Sequence, residues 1–151
     1  MSVREQLVEL SGIDKQINGL RTRLDGATAR LNAQQTKLDQ IKQQQAEIED
    51  QHKRIKSATH NPETEVAGLD EKIETHRAQM NAVTSNKEYS ALLVETNTLK
   101  EKKNTLEENV LQHMQAIDQL DAKLADIKTR AQDQQKLVDL AQQEVEESKA
   151  A

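Results

Sequence analysis

Four histidines, His52, His60, His76 and His113, are the side chains of this 151-residue sequence best suited to metal ligation or proton transfer, and no cysteine accompanies them. Imidazole pairs without thiolates or a fixed carboxylate do not complete the donor set that holds zinc. The 26 Asp and Glu residues are plentiful, yet acid–base catalysis needs a concave site that shifts a pKa, and these carboxylates fall on solvated helix faces. Lack of cysteine also removes disulfides, thiol nucleophiles and iron–sulfur ligation. Gly12, Gly19, Gly26 and Gly68 stand singly within helical pattern, so no glycine-rich phosphate loop exists. The residues predict no catalytic group, no cofactor, no metal and no small-molecule substrate. A non-enzymatic protein is expected.

Charge and composition narrow the partners. Lys and Arg number 21, the net charge is -5 and the isoelectric point is near 5.4, which argues against a dedicated nucleic-acid surface. Two basic spots, His52-Lys53-Arg54-Ile55-Lys56 and Lys100 with Lys102 and Lys103, leave nucleic acid as an alternative partner, although no aromatic residues interleave them for base stacking. No continuous apolar run follows the start, so neither a signal peptide nor a membrane span is expected, and a cytoplasmic location is inferred. Tyr89 is the one aromatic residue and Pro62 the one proline, with 34% apolar and 31% charged residues. A globular β or α/β domain cannot be built from this inventory. Long solvated helices with a coiled-coil seam can.

The spacing bears this out. Val3, Leu10, Ile17, Leu24, Leu31 and Leu38 occupy one heptad position, a, and Ile13, Leu20, Ala27, Ile41, Ile48 and Ile55 the position d three residues on. Gln6, Gln34, Gln45 and His52 interrupt the stripe. At Ser57 to Glu63, Asn61 suits a helix cap and Pro62 a first helical residue, which predicts a helix break or sharp kink near 58–62. Yet Val66, Leu69, Ile73, Met80 and Val83 resume the series with His76, and Val66 lies a whole number of heptads from Val3. One kinked arm, about residues 2–83, accounts for the retained phase better than two antiparallel helices.

From Tyr89 onward the phase slips by two residues, neither a stutter nor a stammer that a continuous rod absorbs. The slip falls at Thr84-Ser85-Asn86-Lys87-Glu88, where Ser85 and Glu88 make a capping box. A hairpin tip is predicted at about 84–86, with Ser85, Asn86, Lys87, Glu88 and Tyr89 as its characteristic residues and a second arm over about 87–149. The fold expected for residues 1–151 is all-α, a long kinked antiparallel coiled-coil helical hairpin. With Val83 facing Tyr89, layers join residues whose numbers add to 172, giving Met80/Leu92, Ile73/Leu99, Ile55/Ile117 and Ile48/Leu124. Leu38/Gln134 and Gln34/Val138 set polar against aliphatic, and Thr59/His113 is polar on both sides. In this register the first twenty residues project beyond the second arm, carrying Val3, Leu7, Leu10, Ile13, Ile17 and Leu20. This stripe is the expected surface for a protein partner or for homodimerisation.

Two stretches, Leu7-Val8-Glu9-Leu10-Ser11-Gly12-Ile13-Asp14-Lys15-Gln16-Ile17 and Val83-Thr84-Ser85-Asn86-Lys87-Glu88-Tyr89-Ser90-Ala91-Leu92-Leu93, resemble the bacterial family in which a kinked coiled-coil hairpin precedes a C4-type zinc ribbon, with chlamydial and Helicobacter members linked to type III secretion or flagellar assembly. The resemblance implies an adaptor or chaperone-like protein that binds others through its helices, and an accessory nucleic-acid role for the ribbon. Thr96 departs from the aliphatic residue usual at its position. No CxxC pair is present, so zinc binding is not carried over, and the alternative expectation is a nucleic-acid-binding accessory protein that has lost its ribbon.

Overall fold

The computed structural model describes residues 2–151. They form two helices, α1 (Val3–Ala82) and α2 (Asn86–Ala150), with residues 83–85 between them, and the two pack as an antiparallel hairpin. Both helices start on a serine N-cap. The Ser2 hydroxyl accepts from the Glu5 N–H at 3.2 Å while the Glu5 carboxylate accepts from the Ser2 N–H at 3.3 Å, a reciprocal capping box. At the tip the Ser85 hydroxyl accepts from the Glu88 N–H at 3.5 Å, and the first helical bond of α2 runs from the Tyr89 N–H to the Ser85 carbonyl at 3.0 Å. Ser85 is thus the N-cap and Asn86 the first residue of α2. The connecting segment is residues 83–85, one residue earlier than the expected 84–86.

Two compact units divide the hairpin, one holding the residues up to Ala46 with Ala125–Ala151, the other Glu47–Leu124. In the first, Ala27, Leu38, Ile127, Val138, Ala141 and Val145 are buried together with Gln134 and Ser148. Leu38, 2% exposed, is its largest fully covered side chain. The Gln134 side-chain amide donates to the Gln34 carbonyl at 2.9 Å and to the Gln34 side-chain oxygen at 2.7 Å. The two glutamines therefore satisfy each other one turn away from the expected layers, instead of each facing only an aliphatic residue.

In the second unit Ile73, Leu120, Thr59 and Thr96 are buried, and the remaining a and d positions, apart from exposed Tyr89, are half-buried. Cross-arm pairs fix the register in both units. His52 with Asp121, Asp70 with Lys103, His76 with Glu95, and Arg30 with Glu144 have numbers adding to within two of 172. A shift of one heptad would move that value by seven.

Of the break or sharp kink expected near 58–62, the break is absent, since α1 is continuous there. Pro62 lies inside α1, Asn61 is an interior helical residue and not a cap, and the seam phase continues through both. Proline removes one N–H, the donor to the Ala58 carbonyl, at a cost of about 3 kcal/mol. Ile55, Thr59, Val66 and Leu69 are all covered or partly covered by the other arm. Burial on both sides of the proline pins the helix, and each aliphatic side chain is worth roughly 1.5 to 3 kcal/mol when fully covered.

Candidate interaction surface

Val3, Leu7, Leu10, Ile13, Ile17 and Leu20 project from the first five turns of α1, with exposures falling from 72% at Val3 through 56% at Leu10 to 36% at Leu20. Six residues on, Gly26 precedes Ala27, which is fully covered. The heptad phase is unbroken across this boundary, so the stripe continues the seam beyond the residues that α2 covers. Val8, 67% exposed, is at position f and faces away from it. Gly12 and Gly19 lie on the opposite side, with nothing near the place a Cβ would occupy.

At the tip, Tyr89 is 45% exposed and not enclosed in the first layer, while Val83 across from it is half-buried. Leu93, one turn along, is also exposed, so the tip offers a second, smaller apolar surface. Ser85 caps, and Asn86, Lys87 and Glu88 form the exposed first turn of α2.

The four histidines are not brought to one place. His52 and His76 sit at seam positions and reach across the hairpin, His52 to Asp121 at 2.8 Å and His76 to Glu95 at 3.0 Å. The second His76 ring nitrogen meets the Lys72 carbonyl at 2.9 Å. His60 is exposed. The Nδ1 of His113 is buried without a hydrogen-bond partner. The reason lies in its layer. Facing Thr59 donates its hydroxyl to the Ile55 carbonyl at 2.8 Å, and the position from which Glu95 meets His76 is taken, for His113, by Ala58 in the same register. Among the described residues no group of three or more His, Asp or Glu side chains could hold a metal ion.

The acidic partners of the seam were not legible as such. Asp121, Glu95 and Asp70 sit at flanking e or g positions beside the polar seam residues His52, His76 and Lys103 on the other arm, and each makes an ion pair or hydrogen bond with it. The signal was available, since a polar residue at a or d calls for a complementary charge at the facing e or g. Asp70 holds the Lys103 pKa above the ordinary lysine value, chiefly by its hydrogen bond, against a lowering by desolvation and with a smaller addition from its charge. Glu144 likewise raises Arg30. The basic spots are accordingly partly neutralised, Arg54 by Asp50 at 2.7 Å and Lys103 by Asp70 and Glu107.

An open groove runs beside the seam of the second unit, lined by Gly68, Leu69, Lys72, Thr98, Thr105 and Leu106 among others. It is too exposed to desolvate a small substrate. No helix among the described residues is long and apolar enough to cross a membrane. What the geometry presents is exposed helical surface.

No curated protein and no solved structure shows significant similarity to the chain. The family model described as CT398-like coiled coil hairpin domain matches residues 10–151, from the middle of the exposed stripe, around the capped tip and through α2. With the antiparallel arms and their register already in place, the chain belongs to the CT398-like coiled-coil hairpin domain family.

Proposed function

We propose that this protein is a non-enzymatic, cytoplasmic adaptor or chaperone-like scaffold that holds other proteins through its helices. The observation that carries the reading is the exposed stripe from Val3 to Leu20, an apolar seam surface left in water. The exposed tip residues Tyr89 and Leu93 supply a second contact. The resemblance to members linked with type III secretion and flagellar assembly supports clients drawn from export machinery. It does not support a zinc centre in this chain, which has no cysteine and no suitable cluster among the described residues. Nucleic-acid binding is the weaker alternative, because Arg54 and Lys103 are already engaged by carboxylates.

Site-specific photo-crosslinkers at positions 10, 17 and 89, with exposed position 132 as control, test the proposal in cells. Adducts with other proteins from the first three positions and none from the control are expected. Adducts no stronger than the control at every position would overturn it. A mobility shift of RNA or DNA at low salt, lost on mutating Lys53 and Lys56, would favour the alternative.

A further inference from the structure

We propose that the stripe on the first five turns of α1 pairs antiparallel with the same stripe of a second copy of this chain. The inference rests on the reading of that stripe as an interaction surface and names its occupant. Three observations select a second copy.

The first is continuity. The stripe carries the heptad phase of the intramolecular seam directly into the exposed segment, so what fits it is another a/d helix. Pairing residues 3–20 with themselves in opposite directions produces a–d layers whose numbers add to 23: Val3/Leu20, Gln6/Ile17 and Leu10/Ile13, each occurring twice about a two-fold axis. Every exposed apolar a and d residue then enters a layer, and Gln6 faces an aliphatic partner. The paired length, about 27 Å at 1.5 Å per residue, matches the exposed stretch from end to end.

The second is charge. Residues 3–21 carry Arg4, Lys15 and Arg21 against Glu5, Glu9 and Asp14, so this segment is neutral while the chain as a whole is at -5. Two copies meet here without the repulsion the rest of the surface would impose. The same charges choose the direction. A parallel pair sets Glu9 at g against Asp14 at e of the other copy, a like-charge contact, whereas the antiparallel pair sets Glu9 by Gln16 and Asp14 by Leu7.

The third is size. Two such segments bury on the order of 1,000 Å² in total, the lower bound of specific interfaces. A reversible dimer with a dissociation constant in the micromolar range or weaker follows.

Sedimentation equilibrium of the full chain, with a short bis-maleimide crosslink as the directional readout, tests the proposal. The natural chain has no cysteine, so single Val3→Cys and Leu20→Cys variants report cleanly. A concentration-dependent dimer is expected, abolished in a Leu10→Lys/Ile17→Lys double variant whose helix content by circular dichroism stays that of wild type. Crosslinking in a mixture should join Val3→Cys to Leu20→Cys at least several-fold more than either to itself. A wild-type chain that stays monomeric up to hundreds of micromolar, a dimer indifferent to the double variant, or like-to-like crosslinks would each overturn the antiparallel pairing. If that monomer still gave photo-adducts with other proteins from positions 10 and 17, the pairing would fall and the scaffold reading would stand.

Discussion

His113 is the residue where this seam is least satisfied, and its neighbours explain why. At two other polar seam positions, His52 and His76, the opposite arm offers Asp121 and Glu95, whereas the layer of His113 offers a threonine whose hydroxyl is already spent. An unpaired buried nitrogen costs roughly 1 to 3 kcal/mol. His113→Leu should therefore raise the unfolding free energy by about 1 to 2 kcal/mol, read from urea denaturation with an unchanged slope. Thr96, 2% exposed, is polar in name only, since its hydroxyl donates to the Leu92 carbonyl at 2.7 Å, a bond within its own helix. Thr96→Val should leave stability equal to wild type or up to about 1 kcal/mol higher. Lys103 behaves differently because its charge is used. Its pKa is raised in the folded state, so its contribution is complete below the ordinary value of 10.5 and is lost as pH climbs through the higher folded value. Melting temperatures followed from pH 9 to pH 12 should fall more steeply for wild type than for Lys103→Met.

At the scale of the elements, the heptad count made α1, α2 and their register legible, since nearly every a and d residue from Leu24 to Ser148 is buried or half-buried. Local signals were weaker guides. Asn61-Pro62 reads as a helix start when taken alone, but a proline within an apolar seam competes with the burial of Ile55 and Val66 on either side, and tertiary packing prevailed. Ser2/Glu5 has the same spacing as Ser85/Glu88, but at Ser2 no change of heptad phase stands beside the spacing to mark a helix start. Side-chain reach was also invisible to layer counting. Gln34 and Gln134 are a full turn out of line in the ladder, and only their length lets them meet. A double-mutant cycle with Gln34→Leu and Gln134→Leu should give a coupling of about 1 kcal/mol. Truncating Leu38, the largest fully covered side chain of the first unit, to alanine should cost about 2 to 5 kcal/mol.

For the molecule as a whole, backbone protection should follow the seam. Amide exchange in residues 3–20 is expected to be fast beside that of α1 after Leu24, where the other arm covers the helix, and to slow as protein concentration rises if two copies pair there. The role of that segment was legible as a surface, because apolar spacing identifies what must be covered. It was not legible as a partner, because one sequence shows a stripe without showing what lies on it. The opposite end of the hairpin carries a practical consequence. With no tryptophan in the chain and Tyr89 as its sole tyrosine, all intrinsic near-ultraviolet emission originates at the tip. The protein is therefore a spectroscopically labelled object as it stands: acrylamide quenching of one ring reports whether anything is bound at that end, undisturbed by events along the arms.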